Sequence, residues 1–344
     1  MPTRTGYRQP GLLLAALVTA LSACSSEELQ APPDTPDGSI TIDASAGWAF
    51  LSLSAQSPVS VTDPAGSTAW DIAFNATRVM LNGGAAGPGG VVGYCLCQNA
   101  GASDDEVVGF TAEGEAADFE QVSGSQIPDP ASFEADQLVP ALRGWYTGTG
   151  AAAVPATGTT WLLRLENGIG YAKLRPVALG APTDAHPGPV TLEYAVQPAA
   201  DQPFGPVQTV TLDGSTPTAL DLATGSAGPS VDGWDLRLEG FVIRLNGGVS
   251  GAGNAAAATT TESFETVTTA AVDSRAFQQD GFAGVFASHP WYRYNLTGEN
   301  IIHPTFEVYL VRRGAEVYKL QLTDYYGPAG EPRRITVRYA RLAP

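Results

Sequence analysis

The sequence is short of cations. Lysine occurs at only two positions, Lys173 and Lys319, and Lys plus Arg number 18 against 35 Asp plus Glu. The net charge of −17 excludes nucleic acid as a natural partner, because phosphate binding needs clustered cations. Charged residues make up only 15% of the chain, too few for a helical bundle or coiled coil. Catalytic signatures are missing too. There is no Gly-x-Ser-x-Gly, no His-Glu-x-x-His and no dinucleotide fingerprint, so the chain reads as a non-enzyme. Soft and imidazole metal donors are few: three His, three Cys and two Met. What is plentiful is Gly (39), Pro (26) and hydrophobic residues (44%), which describes a folded, turn-rich chain rather than a disordered one. The length predicts roughly two domains.

Residues 1–23 read as a secretory signal. Arg4 and Arg8 supply a positive start, and Gly11–Leu21 is an apolar stretch too short to span a bilayer. It ends in Leu21-Ser22-Ala23-Cys24, the pattern of a bacterial lipobox, in which Cys24 takes the acyl chains and becomes the mature N-terminus. The alternative is an ordinary signal peptide with a chance cysteine. No later stretch approaches 18 apolar residues, so lipid is the expected membrane anchor. Residues 24–38 are polar and Pro-rich, the composition of a flexible tether.

The remainder repeats itself. Trp70-Asp71-Ile72-Ala73-Phe74 and Leu81-Asn82-Gly83-Gly84 are answered by Trp234-Asp235-Leu236-Arg237-Leu238 and Leu245-Asn246-Gly247-Gly248. Phe119 is answered by Phe264, Trp145-Tyr146 by Trp291-Tyr292, and Lys173 by Lys319. The only two lysines thus occupy one repeat position. The first copy carries about 19 extra residues within 85–115, a stretch that includes Cys95 and Cys97. Copy one is expected over 39–200 and copy two over 201–344.

Both copies alternate apolar and polar residues, as in Ser39–Asp43 and Gln208–Leu212, and turn at Gly-containing sequences such as Glu166-Asn167-Gly168 and Arg313-Gly314-Ala315. Period-two β-branched and aromatic runs predict antiparallel hairpins, hence an all-β fold of two tandem modules built as a sandwich or barrel-like sheets. No amphipathic helix of 12 or more residues is evident, and short helices could occupy 129–139 or 273–279. The Asn-Gly-Gly pairs predict sharp turns followed by closely packed or mobile loops. Asp71 and Asp235 are expected to point outward, opposite the adjacent Trp, in a surface or backbone-bracing role. Ser103-Asp104-Asp105-Glu106 reads as a solvated acidic loop, and Met80 as a core residue.

The motifs Ser39–Ser45, Val61–Pro64, Trp70–Phe74 and Leu81–Gly84, closed by Val308–Arg312, Tyr318–Tyr325 and Ile335–Tyr339, resemble those of the HmuY-type haem-binding lipoproteins. The resemblance covers most of 39–344 as two copies. It implies an all-β lipoprotein at the outer membrane or surface of a Gram-negative cell. It also implies capture of haem or a porphyrin for iron acquisition, with a palmitate-class anchor and an outer-membrane haem transporter as partner. The alternative is a surface interaction module that kept the fold without binding haem.

Haem needs axial donors in an apolar setting. The family's late ligating histidine would fall at Gly150 and Leu296, and its earlier one near Asp118 or Phe264; none of these is histidine. The three histidines present, His186, His289 and His303, each precede proline, which favours extended loop or strand-start positions. His289 is the preferred donor, with Trp291 and Tyr292 beside it as stacking surfaces, and His303 is second. Cys95 and Cys97 are candidates for a local disulfide in an oxidising compartment. A metal role for them would need further ligands nearby, and the sequence shows none, so no metal site is expected.

Overall fold

The computed structural model describes residues 38–271 and 276–343. The signal sequence, Cys24, the tether before Gly38 and part of the 273–279 segment lie outside the described residues.

Among the described residues, two five-stranded antiparallel sheets form the frame, with smaller sheets beside them. The first sheet runs in the order Gly38–Asp43, Pro332–Leu342, Glu316–Tyr326, Val308–Arg313, Val91–Cys95. The second runs Gln208–Asp213, Pro189–Gln197, Tyr171–Leu179, Thr160–Arg164, Ala256–Thr260. The fold is all-β with two modules, as the alternating patterns predict.

The two orders are equivalent once the sequence copies are overlaid, but each sheet mixes the copies. In the first sheet, the opening strand of copy one pairs with the closing strand of copy two, with Ile40 opposite Val337 and Ile42 opposite Ile335. In the second, the opening strand of copy two pairs with the closing strand of copy one, with Val190 opposite Leu212 and Leu192 opposite Val210. The 200/201 position therefore lies between two hydrogen-bonded neighbours of one sheet. Val91–Cys95 and Ala256–Thr260 are exchanged in the same sense. Two four-stranded sheets repeat the equivalence. One has the order Ser57–Val59, Ala49–Ser52, Ile72–Asn75, Arg78–Leu81, and the other Ala227–Gly228, Thr218–Leu220, Leu236–Glu239, Val242–Leu245.

Packing follows the sheets, not the copies. Ile42, Leu51, Phe74 and Leu81 of copy one are buried with Trp291, Tyr309, Leu320 and Val337 of copy two. Trp145, Trp161, Leu163 and Tyr194 of copy one are buried with Leu236, Ile243 and Leu245 of copy two. Each such aliphatic or aromatic side chain contributes about 1.5–3 kcal/mol when fully buried. Met80 packs against Phe50 and Trp70 in a separate small cluster.

The paired lysines have one task. Lys319 Nζ donates to the carbonyls of Phe119 and Val122 at 3.0 and 3.3 Å and sits 4.5 Å from the Phe119 ring centre. Lys173 Nζ donates to Phe264 and Val267 at 2.7 and 3.0 Å, 4.8 Å from the Phe264 ring. Each lysine of one copy thus satisfies buried carbonyls of the other, with a cation–π contact in addition.

The Asn-Gly-Gly turns are close approaches of backbone. A Cβ on Gly83 would stand 2.0 Å from the Val91 carbonyl oxygen, and one on Gly247 2.2 Å from that of Ala255. Gly84 and Gly248 take φ of +58° and +67°, which glycine adopts without strain. Asn82 ties the turn to the carbonyls of Ser67 and Trp70 and accepts from Gly89 N.

Three local expectations need correction. Asp71 and Asp235 are buried, at 1% and 2% exposure, because the strands begin one residue later and alternation does not yet apply. They brace backbone as expected, but from inside. Asp71 accepts from Leu53 N and the Arg313 guanidinium, and Asp235 from Leu222 N and Glu166 N. Residues 129–139 hold only a 3-10 turn, Pro130–Ser132, and then the strand Gln137–Val139. Asp136 draws that segment inward by accepting from Leu81 N. The acidic stretch at 103–106 is the exposed start of a helix, Asp104–Gly109, where Ser103 and Glu106 form a capping box.

Candidate functional site

The extra residues of copy one form one side of a pocket. After Val91–Cys95 the chain makes a tight turn closed by a Cys95–Cys97 disulfide, with Cys97 at φ +52°. The following loop is pinned to the C-terminal part of copy two. Asn99 N donates to Glu307 Oε2 and Asn99 Nδ2 to the Thr305 carbonyl, both at 3.0 Å. The Arg293 guanidinium reaches Asp104 and the Ala102 carbonyl, both at 2.7 Å. The repeat-equivalents of His289 and Arg293 are Arg143 and Thr147, and by strand register that of Glu307 is Thr159, so this polar set belongs to one module alone.

Between loop and module lies a cavity of about 260 Å³ bordered by Cys97, Asn99, His289, Tyr292, Arg293 and Glu307. Glu307 is buried, and burial pushes its carboxyl up; the Asn99 amide and the nearby His289 and Arg293 draw it back. Pro290 and Tyr292 also border a second cavity of about 260 Å³, lined by Trp48, Arg78, Val249, Phe282 and Phe286. A polar pocket and a more apolar trough thus share one wall. A larger cavity of about 550 Å³ lies in the other module beside Val154, Arg175, Val177 and Phe264. It has no His or Cys on its lining, and Arg175 there is already paired with Glu193 and Glu265.

His289 ends the short helix Val285–Ser288 and is exposed. Its backbone is fixed on both sides, because His289 N donates to the Val285 carbonyl and its own carbonyl accepts from Tyr309 Oη at 2.7 Å. One imidazole nitrogen and the sulfurs of Cys95 and Cys97 all lie within 4.8 Å of one another. Nothing in the sequence marks that meeting, since about 190 residues separate the histidine from the cysteines; the copy-one insertion was the only hint.

The other predicted residues separate. Tyr292 is half-buried and borders both cavities. Trp291 is 1% exposed in the core and donates Nε1–H to the Thr77 carbonyl, which takes it away from any ligand face. His303 sits opposite Arg293 on the strand Ile302–Pro304, with Nε2 buried and unpartnered among the described residues. His186 caps its own turn by accepting from Gly188 N.

A family model described as HmuY protein matches residues 44–194 and 218–339. These two segments are the two sequence copies and include most of the chain. The chain belongs to the HmuY family. Both HmuY segments start after the opening strand of their copy, so Gly38–Asp43 and Gln208–Asp213, the strands exchanged between copies, fall outside them. No curated protein matches the sequence significantly. A crystal structure of an apo HmuY analog from Tannerella forsythia is similar at 10% identity, over 92% of this chain and 100% of that one, with a TM-score of 0.36. That likeness is too distant to carry an argument.

The HmuY histidine positions cannot ligate here. Gly150 has φ +53°, and a Cβ on it would stand 2.2 Å from Asp184 Oδ1. Phe264 is buried beneath Lys173, and Leu296 and Asp118 are half-buried. The residues present do not make a two-histidine clamp. Among the described residues no helix is long and apolar enough to cross a membrane.

Proposed function

We propose that this HmuY-family protein is a lipid-anchored binding protein of the outer membrane surface that captures haem or a related porphyrin for iron acquisition. It acts as a binder, not an enzyme. The observation that carries this reading is the shared wall at Pro290 and Tyr292. Each cavity alone is smaller than the ~300–1,000 Å³ typical of ligand sites, but the two together fall within that range. The trough with Trp48, Phe282 and Phe286 would take an apolar macrocycle face. Haem supplies an iron that accepts a neutral imidazole nitrogen, and His289 is the exposed donor at the polar end. Arg78, 5.7 Å over the Trp48 ring, puts a cation in the trough for one of the ligand's carboxylates, whereas Arg293 is already held by Asp104 and the Ala102 carbonyl. Cys24 would carry the acyl chains that hold the protein at the membrane, where a haem transporter could receive the cargo.

The test is a titration of the purified chain with haemin, followed at the Soret band. One saturable equivalent, weakened at least about tenfold by His289→Ala, supports the reading. Labelling of whole cells with radioactive palmitate, lost in Cys24→Ser, supports the anchor. Gly150 and Leu296 favour one other reading, a surface interaction module that kept the HmuY fold after losing haem. The absence of any saturable shift, with oxidised or reduced iron, would select it.

A further inference from the structure

We infer that Cys95, Cys97 and His289 form a binding site for a zinc-class thiophilic cation, closed while the disulfide is intact and opened by its reduction. The site shares His289 with the haem reading but does not depend on haem being bound.

The three donor atoms already lie within 4.8 Å of one another. In tetrahedral zinc sites, with Zn–S near 2.3 Å and Zn–N near 2.1 Å, donors stand about 3.5–3.8 Å apart. On reduction the two sulfurs, about 2 Å apart while bonded, separate by roughly 2 Å and the imidazole nitrogen closes by about 1 Å, which side-chain rotation at the three residues supplies. The backbone beneath each donor is held independently of the disulfide. Cys95 ends a strand paired with Tyr309, Leu96 N donates to the Val308 carbonyl, and Ala100 N to that of Cys97. His289 is held through Val285 and Tyr309. Breaking the sulfur–sulfur bond thus frees two thiols without releasing the segments that carry them.

The chemistry balances with a dithiol as reductant. Its two electrons cleave the Cys95–Cys97 bond, its two protons pass to the sulfurs, and it closes to its own disulfide. The cation then displaces the two thiol protons and takes the neutral imidazole as a third ligand. Three protein donors leave one position of a four-coordinate ion for water or an anion, the arrangement of an open site. His289 is exposed beside the cavity bordered by Asn99 and Glu307, which gives the cation a way in. The soft sulfur pair selects zinc or cuprous ion over magnesium or calcium.

The test uses the full chain without haem. A phosphine reductant, which takes oxygen from water and leaves its protons on the sulfurs, opens the disulfide without itself competing as a dithiol. Zn²⁺ binding is read by competition with a chromogenic chelator, and Co²⁺ replacement is read by its thiolate charge-transfer band. The reduced chain should bind one equivalent and the oxidised chain none. His289→Ala should weaken binding at least about tenfold, since even outer-shell partners of metal ligands are worth 10–100-fold. The Cys95→Ser/Cys97→Ser chain should bind none and show no Co²⁺ thiolate band. If that variant does not fold, alkylating the thiols of the reduced wild-type chain, Cys95 and Cys97 among them, serves in its place. Failure of the reduced chain to bind more Zn²⁺ than the alkylated chain overturns the proposal, as does full-strength binding by His289→Ala.

Discussion

Asp136 is the carboxylate whose removal should change the pH dependence of stability most. It is 3% exposed and accepts one main-chain hydrogen bond, from Leu81 N at 2.8 Å. Its repeat-equivalent Asp280 accepts two, from Leu245 N and Ala141 N. With less compensation, burial pushes Asp136 up to about 7 from 3.8. Between those values the folded chain holds a proton that the unfolded chain has lost, so stability falls as pH rises toward 7. At about 1.4 kcal/mol per pH unit, roughly three units cost about 4 kcal/mol above pH 7, and about 3 kcal/mol of that develops between pH 5 and 8. Asp136→Asn keeps an oxygen for Leu81 N but cannot ionise. Its amide protons cost about 1–3 kcal/mol if left unpaired, a penalty that does not vary with pH. Relative to the wild type, the variant should therefore gain about 3 kcal/mol between pH 5 and pH 8. Urea unfolding followed by tryptophan fluorescence at both pH values measures this directly. Asp235, pushed to about 6 by burial, contributes to the wild-type slope in the same direction and is common to both chains. Parallel wild-type and variant profiles would refute the reasoning.

Two further perturbations probe the exchanged frame. Lys319→Met strands the buried carbonyls of Phe119 and Val122 and should cost about 2–4 kcal/mol in urea unfolding, with Lys173→Met costing a similar amount. Equal losses at the two sites would show the modules to be energetic equivalents, and a loss under 1 kcal/mol at either would count against the carbonyl-satisfying role. Gly83→Ala, whose methyl would meet the Val91 carbonyl at 2.0 Å, should lower the urea midpoint by more than about 2 kcal/mol equivalent, whereas Gly281→Ala, facing open space, should leave it nearly unchanged.

The fold was legible because its signals are local. Alternation in Ser39–Asp43 and Gln208–Asp213, the Gly168 and Gly314 turns and the repeated tryptophans identify strands, hairpins and duplication without any tertiary information. The exchange between copies was not legible. A strand's pattern states which face is buried but not which partner lies beside it. The strand-face argument for Asp71 failed for a related reason, since a two-residue period holds only inside a strand and Asp71 precedes one. Proximity in sequence to His289 does not place Trp291 on a ligand face, because two residues on from the exposed histidine the tryptophan is buried in the core. The meeting of His289 with Cys95 and Cys97 depends on a strand pairing between residues about 200 apart, which composition and spacing cannot reveal.

Connection length explains why the copies interleave. Ten residues separate Pro189–Gln197 from Gln208–Asp213, a short enough connection for the two strands to pair directly as antiparallel neighbours. That pairing fills the edge of the copy-one sheet with the opening strand of copy two. The opening strand of the chain is then left with the final strand as its partner, and Gly38 lies opposite Tyr339. The second sheet is built entirely from residues 160–260, whereas the first joins residues nearly 300 apart. Low contact order favours early formation of the contiguous sheet, and the first sheet closes only when the C-terminal strands are present. The His289 pocket belongs to that late-closing sheet. Its copy-one loop and its copy-two histidine meet only when both copies are present, so the pocket depends on the duplication having stayed covalently joined.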